Sequence, residues 1–279
     1  LQKTKTMNES FTELAKFFWL AFAVVACSGA ALAVAGIYLH QRRGLFLGAA
    51  LPQIAGFGLV LMSLSGAGEA LSVLVVLAFC TAFLAWKPDQ NHSGVTLEAF
   101  IGTGFVVAMA GSLLALSLTH AEAHGQELLF KGSILAASPD DLMMTMFLSL
   151  PLALLLIALR RRFLLVNLIP LQAQISGIKV RTYELFQFFL LSAIIVINLK
   201  TLGAMATFGF LLFPCLSAIS LTTCVSGIFW LAPTIAFAAG LAGIALAIVF
   251  DLPAGPSLIF LLALSWLLAR NFSRFVIRR

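Results

Sequence analysis

The residues best suited to chemistry in this sequence fall into two groups. The first is a short segment, "THAEAHGQELLFKG", that carries His120, Glu122, His124 and Glu127. On a helix His120, His124 and Glu127 stand at i, i+4 and i+7 and share one face. Two imidazoles one turn apart with a carboxylate match a three-residue zinc set that leaves the fourth position to water. Glu122 points elsewhere on that helix and Gly125 weakens it, so a plain solvated loop is the competing reading. The second group is scattered through apolar sequence: Gln53, Asn198, Thr207, Cys215 and Ser217, with Met205 as a soft contact. Each either touches a passing solute or bonds to a neighbouring helix.

These residues have to be positioned by a chain of 279 residues that is 61% hydrophobic and 10% charged, with a mean hydropathy of +1.07. That composition excludes an ordinary soluble domain and predicts an all-α, polytopic transmembrane helix bundle. Apolar runs close to the ~20 residues needed to cross a bilayer recur at 17–39, 45–64, 69–86, 98–119, 142–159, 183–199, 202–222, 229–250 and 255–270. About nine spans are expected, with eight as the alternative. Residues 1–16 form an external N-terminal segment and 17–279 a single membrane domain. The first apolar run lacks the pattern of a signal peptide. Cys27, Cys80, Cys215 and Cys224 include no Cys-x-x-Cys pair and are expected to be small buried hydrophobes.

The net charge of +6 does not point to nucleic acid, because the cations cluster in short loops. With nine spans, one side collects Arg42, Arg43, Lys87, Arg160 to Arg162, Lys179, Arg181, Arg270, Arg274, Arg278 and Arg279, most of the 17 Lys and Arg. The positive-inside rule puts that side in the cytoplasm, with the N-terminus out and the C-terminus in. The inner loop at 160–181 holds a stretch, 164–178, that is apolar, flanked by cations and interrupted by Pro170. It reads as a short cytoplasmic helix against a partner or as an extension of the fifth helix. Glu69 and Asp251, at the outer edges, can attract cations, whereas Asp140 and Asp141 follow Pro139 as helix N-terminal residues.

In the second span Gly44, Gly48, Pro52 and Gly56 recur every fourth position and line one ridge. Small residues on a ridge allow close packing, and a proline at membrane depth belongs against protein or a cavity rather than lipid. Ala49 and Gln53 occupy the adjacent ridge. No Gly-x-x-x-x-Gly-Lys-[Ser/Thr] phosphate loop occurs, so any ATP-driven activity needs a second chain.

Four stretches carry a family resemblance: "GAALPQI" after Arg43, "LFKGSILAASPDDL" at 129–142, "LGAMATFGFLLFPCLSA" at 202–218 and "DLPAGP" at 251–256. In this order they resemble the membrane permease of zinc and manganese ABC importers, as a divergent member. The resemblance implies alternating access, two permease copies, two cytoplasmic ATPase subunits carrying ATP and Mg, and an external solute-binding protein. It places the protein in a bacterial inner membrane. It also implies a coupling helix onto the ATPase at Pro170, Ala173 and Gly177, following Ile169 where the family carries an acidic residue. The family's metal-binding Asp and His stand where this chain has Ala49 and Gln53, which leaves room for a metal chelate or another small solute. Two rival readings are a secondary ion-coupled carrier, which needs an intramembrane ionisable residue, and a non-transporting anchor that recruits cytoplasmic machinery.

Overall fold

The computed structural model describes residues 18–41, 45–65, 68–85, 97–118, 132 and 134–277. The N-terminal segment 1–16, Gly44, and the outer His/Glu segment with His120, Glu122, His124 and Glu127 lie outside the described residues.

Everything regular among the described residues is helical. In chain order the helices are α1 Trp19–Gln41, α2 Leu45–Leu64, α3 Glu69–Ala85, α4 Leu97–Leu118, α5 Pro139–Ala158, α6 Arg160–Leu168, α7 Pro170–Ile175, α8 Val180–Leu221, α9 Val225–Val249 and α10 Ala254–Ile277. By length and composition α1, α5, α8, α9 and the Ala254–Ser273 part of α10 can cross a membrane. Leu47–Met62, Ala70–Ala85 and Ala99–Ala115 are shorter apolar helices. Helices thus stand at every apolar run of the sequence.

A helix that is apolar all round belongs inside a bundle. α1 is such a helix, with Val24, Leu32, Ala35 and Tyr38 fully buried, and it packs against α8, α9 and α5. Most of α8 is buried too. α3, α5, α9 and α10 pack around this pair, α4 packs on α2, and these helices turn large apolar side chains such as Phe147, Val106 and Phe260 outward. In lipid, outward-facing hydrophobes gain nothing by hiding, so cohesion rests on close packing and interhelical hydrogen bonds.

α8 is 42 residues long, about 63 Å if straight and twice the ~30 Å hydrocarbon core. It does not run straight: Gly203, at φ 75 and ψ 168, breaks it into 180–202 and 204–221. Only glycine adopts this backbone conformation without strain. The break agrees with the two separate runs of the sequence at 183–199 and 202–222. Gly132 seals it from outside the helix, since a methyl group there would lie 2.6 Å from the Gly203 amide nitrogen.

Two expectations are corrected. The stretch 164–178 is neither one helix nor a simple extension of the fifth: α6 ends at Leu168 and α7 begins at Pro170. Proline pushes the residue before it out of the helical region, and Ile169 is at φ −137 and ψ 70. Cys80 and Cys215 are buried thiols, but Cys27 is half-buried and Cys224 is exposed. Cys224 lies in the turn that starts α9 rather than within a span. Asp141 completes a capping box with Ser138, each bonding the other's backbone amide, at 3.2 and 2.9 Å.

The tightest approach between α1 and α8 is at Gly36, where an added methyl group would overlap the Leu211 carbonyl. At Gly48 the same methyl would lie 3.7 Å from the Phe208 ring, an ordinary contact. Gly36→Ala should therefore cost roughly 1–3 kcal/mol through overpacking, and Gly48→Ala should be close to neutral. Thermal unfolding of the two variants in detergent checks this contrast.

Candidate translocation site

α2 carries the ridge of small residues. Gly48, Pro52 and Gly56 are all buried, so the ridge faces protein. Pro52 lies inside α2, and having no N–H it leaves the carbonyl one turn back, that of Gly48, without its helical donor. Gly48 lines a narrow cavity between α1, α2 and the second half of α8, together with Gly36, Leu39, His40, Leu211, Leu212 and Cys215. The cavity is small, but its wall carries an imidazole, a thiol and the proline-freed stretch of α2.

His40 is the functional candidate that sequence reasoning missed. Its Nδ1 is buried and has no hydrogen-bond partner among the described residues. The available signal was an ionisable residue at the end of an apolar span, which at membrane depth is by default a functional hypothesis. Cys215, across the same cavity, is 1% exposed.

On the neighbouring ridge Ala49 is half-buried and Gln53 is buried. The Gln53 side chain makes no hydrogen bond to another described residue.

The remaining polar candidates bond within the protein, although Asn198 Oδ1 is buried with no hydrogen-bond partner among the described residues. Asn198 is fully buried; its Nδ2 donates to the Ser149 hydroxyl at 2.7 Å and to the Ile194 carbonyl at 2.6 Å. Ser149 closes a π-helical turn, Thr145–Ser149, in the middle of α5, so this bond ties α5 to α8. Thr207 donates to the Gly203 carbonyl at 2.7 Å, next to the break in α8. Ser217 donates to the Phe213 carbonyl at 2.8 Å. Side-chain hydroxyls of this kind satisfy backbone carbonyls at lipid depth. Met205, by contrast, is exposed.

At the same end of α1, Tyr38 donates to the Leu156 carbonyl at 2.7 Å. Leu156 is in the last turn of the Leu150–Ala158 segment of α5, where carbonyls have no helical partner. The Tyr38 ring meets Phe163 and Phe229 edge-on, at 5.9 and 5.5 Å between centroids. This cluster anchors α6 on the bundle, and Arg162 extends the anchor by a hydrogen bond to the Tyr183 hydroxyl.

From that base α7 projects. Ala173 is fully buried, whereas Leu171 and Ile175 are 69% and 80% exposed. The helix ends in a Schellman motif, with Gly177 at φ 76, Ile178 N–H donating to the Ala173 carbonyl and Gly177 N–H to that of Gln174, both at 3.0 Å. Of the three proposed coupling residues, Ala173 thus seats the helix, Gly177 turns the chain away and Pro170 starts the helix. The outward surface belongs to Leu171 and Ile175. In "DLPAGP", Asp251 takes a left-handed conformation, φ 50, that reverses the chain between α9 and α10, and its side chain is exposed.

A polytopic bundle of apolar helices, one of them broken at Gly203, defines a multi-pass membrane protein. The chain belongs to the ABC 3 transport family, whose model matches residues 14–273. It is 28% identical over 266 residues, covering 94% of this chain and 90% of the relative, to the manganese transport system membrane protein MntC of Halalkalibacterium halodurans. It is 25% identical over 246 residues, 88% of this chain and 90% of the relative, to a Haemophilus influenzae protein named "Probable iron transport system membrane protein". Among solved structures the PsaBC complex from Streptococcus pneumoniae has the same fold, with a TM-score of 0.80, 19% identity and 94% of each chain covered. The protein is therefore a multi-pass membrane permease of an ABC transport system.

Two substitutions separate packing from pathway. Asn198→Ala should lower stability by about 1 kcal/mol and reduce transport only in proportion to the folded protein. His40→Leu should leave the melting temperature within about 1 °C and lower uptake per folded transporter by roughly tenfold, the loss of ~1.4 kcal/mol of solute interaction. Melting curves and uptake on the same preparations check both.

Proposed function

We propose that this chain forms the translocation pathway of a bacterial importer for a divalent metal ion such as zinc or manganese, or for a chelate of one. Two copies pair in the inner membrane, with the N-terminus outside and the C-terminus in the cytoplasm. Nine crossings follow if the two halves of α8 each span. An external binding protein delivers the solute. ATP hydrolysis resides on a separate partner subunit, in keeping with the lack of a phosphate loop in the sequence.

The observation that carries this reading is the end-to-end likeness to a manganese transport permease, 28% identical over nearly the whole of both chains. Membership of an ABC family favours it over the secondary carrier and the passive anchor. The site supplies a second support. Ala49 and Gln53 bring no charge to the pathway, yet His40 and Cys215 offer nitrogen and sulfur beside Gly48, donors that suit zinc and softer ions better than they suit manganese. The outer segment with His120, His124 and Glu127 remains a candidate for capturing the ion on entry.

Coupling is assigned to α7. Leu171 and Ile175 form the exposed apolar face that docks on the ATPase, and Pro170, Ala173 and Gly177 hold it in position.

The test is reconstitution with the partner ATPase in liposomes. Zinc or manganese uptake should require ATP, and the double substitution Leu171→Glu with Ile175→Glu should abolish ATPase co-purification while leaving the permease folded. Solute uptake by the permease alone, without any ATPase, contradicts the proposal.

A further inference from the structure

One feature that the transport site does not use is a groove between α1, α5 and α9. It encloses about 430 Å³ and is lined by Ala31, Val34, Ala153, Leu154, Phe229 and Trp230, among others. Its wall is almost wholly apolar, but Arg160 stands at one end. The groove runs along α5 from Leu150 to Ile157 and reaches Arg160 at the start of α6, about 15 Å at 1.5 Å per residue. That is the depth of one leaflet of a ~30 Å hydrocarbon core.

The charged end is a built anion site. Arg160 Nη1 donates to the Ser226 hydroxyl at 3.3 Å, and no carboxylate among the described residues pairs with Arg160. Ser226 lies in the first turn of α9, a 25-residue helix whose N-cap, Cys224, makes no side-chain hydrogen bond to the free amides. The guanidinium, the hydroxyl and the positive pole of a long helix therefore converge on one point. Trp230, 74% exposed, stands at the rim, and indoles favour the membrane interface.

We propose that this groove binds an anionic phospholipid of the phosphatidylglycerol type, with one acyl chain lying between α1, α5 and α9 and the phosphate on Arg160 and the N-terminus of α9. The groove has the length of one leaflet, and the cation at its end, which has no carboxylate partner among the described residues, selects an anionic headgroup. The lipid completes the junction of α5 with α6, next to the Tyr38 cluster that carries the coupling loop. This inference does not depend on which solute is transported.

The test is native mass spectrometry of the intact protein after exchange into equal phosphatidylglycerol and phosphatidylcholine of matched chains. The wild type should retain phosphatidylglycerol at least fivefold in preference, the discrimination that one interfacial cation supplies. Arg160→Gln should bring the ratio close to one, and Arg160→Lys should keep most of it. Ala30→Phe, which fills the groove and leaves Arg160 in place, should reduce retention of both lipids, and it tests the proposal even if Arg160→Gln fails to fold. Equal retention of the two lipids by the wild type overturns the proposal. So does an unchanged ratio in Arg160→Gln, or displacement of the lipid by millimolar inorganic phosphate with no effect of Ala30→Phe.

Discussion

A polar backbone group at lipid depth has to find a partner inside the protein, and this structure is organised around the places where its helices break that rule. α8 breaks at Gly203 and α2 lacks a donor at Pro52. Both irregularities are buried within the bundle. Thr207 takes up the Gly203 carbonyl, and Gly132 closes over the break. The free carbonyl left by Pro52 belongs to Gly48, which lines the inner cavity. Irregular backbone within a bilayer is tolerated where it is covered by protein or lines a cavity, so the same constraint that shapes the fold also locates the candidate pathway.

α1 makes this arrangement possible. Its apolar surface is continuous around the helix, and Gly36 lets the Leu211 backbone come into contact with it. At its end His40 enters the cavity, while Tyr38 reaches the last turn of α5. A movement of the second half of α8 against Gly36 would therefore change the cavity wall directly. The Tyr38 cluster holds α6, at the start of the 160–181 loop, on the same helix. The cavity wall and the footing of the 160–181 loop thus meet at one end of α1, two residues apart.

The helices themselves were legible in the sequence because each apolar run exceeds what a soluble helix needs, and the break at Gly203 was legible as a gap between two short runs. Asp141 was legible as an N-terminal residue because it follows Pro139 and complements the helix dipole, whereas its box with Ser138 was not read. The close approach at Gly36 was not, since one glycine among alanines and valines carries no mark of its partner. His40 escaped notice because it sits beside Gln41 and the basic Arg42 and Arg43, where a histidine reads as part of a loop. The ridge Gly48, Pro52 and Gly56 was visible by spacing, but its closest neighbour is a phenylalanine ring and the tightest backbone contact lies elsewhere. Exposure on α7 could not be read from a six-residue helix, and only the packing shows that Ala173 faces in while Leu171 and Ile175 face out.

The central claim is that a permease with neutral residues at positions 49 and 53 still carries a divalent metal. Elemental analysis of cells lacking this chain, against the same cells complemented with it and grown in metal-limited medium, tests that claim most directly. The account predicts a selective loss of cellular zinc or manganese that complementation restores. Unchanged zinc, manganese and iron in the deletion strain would contradict it.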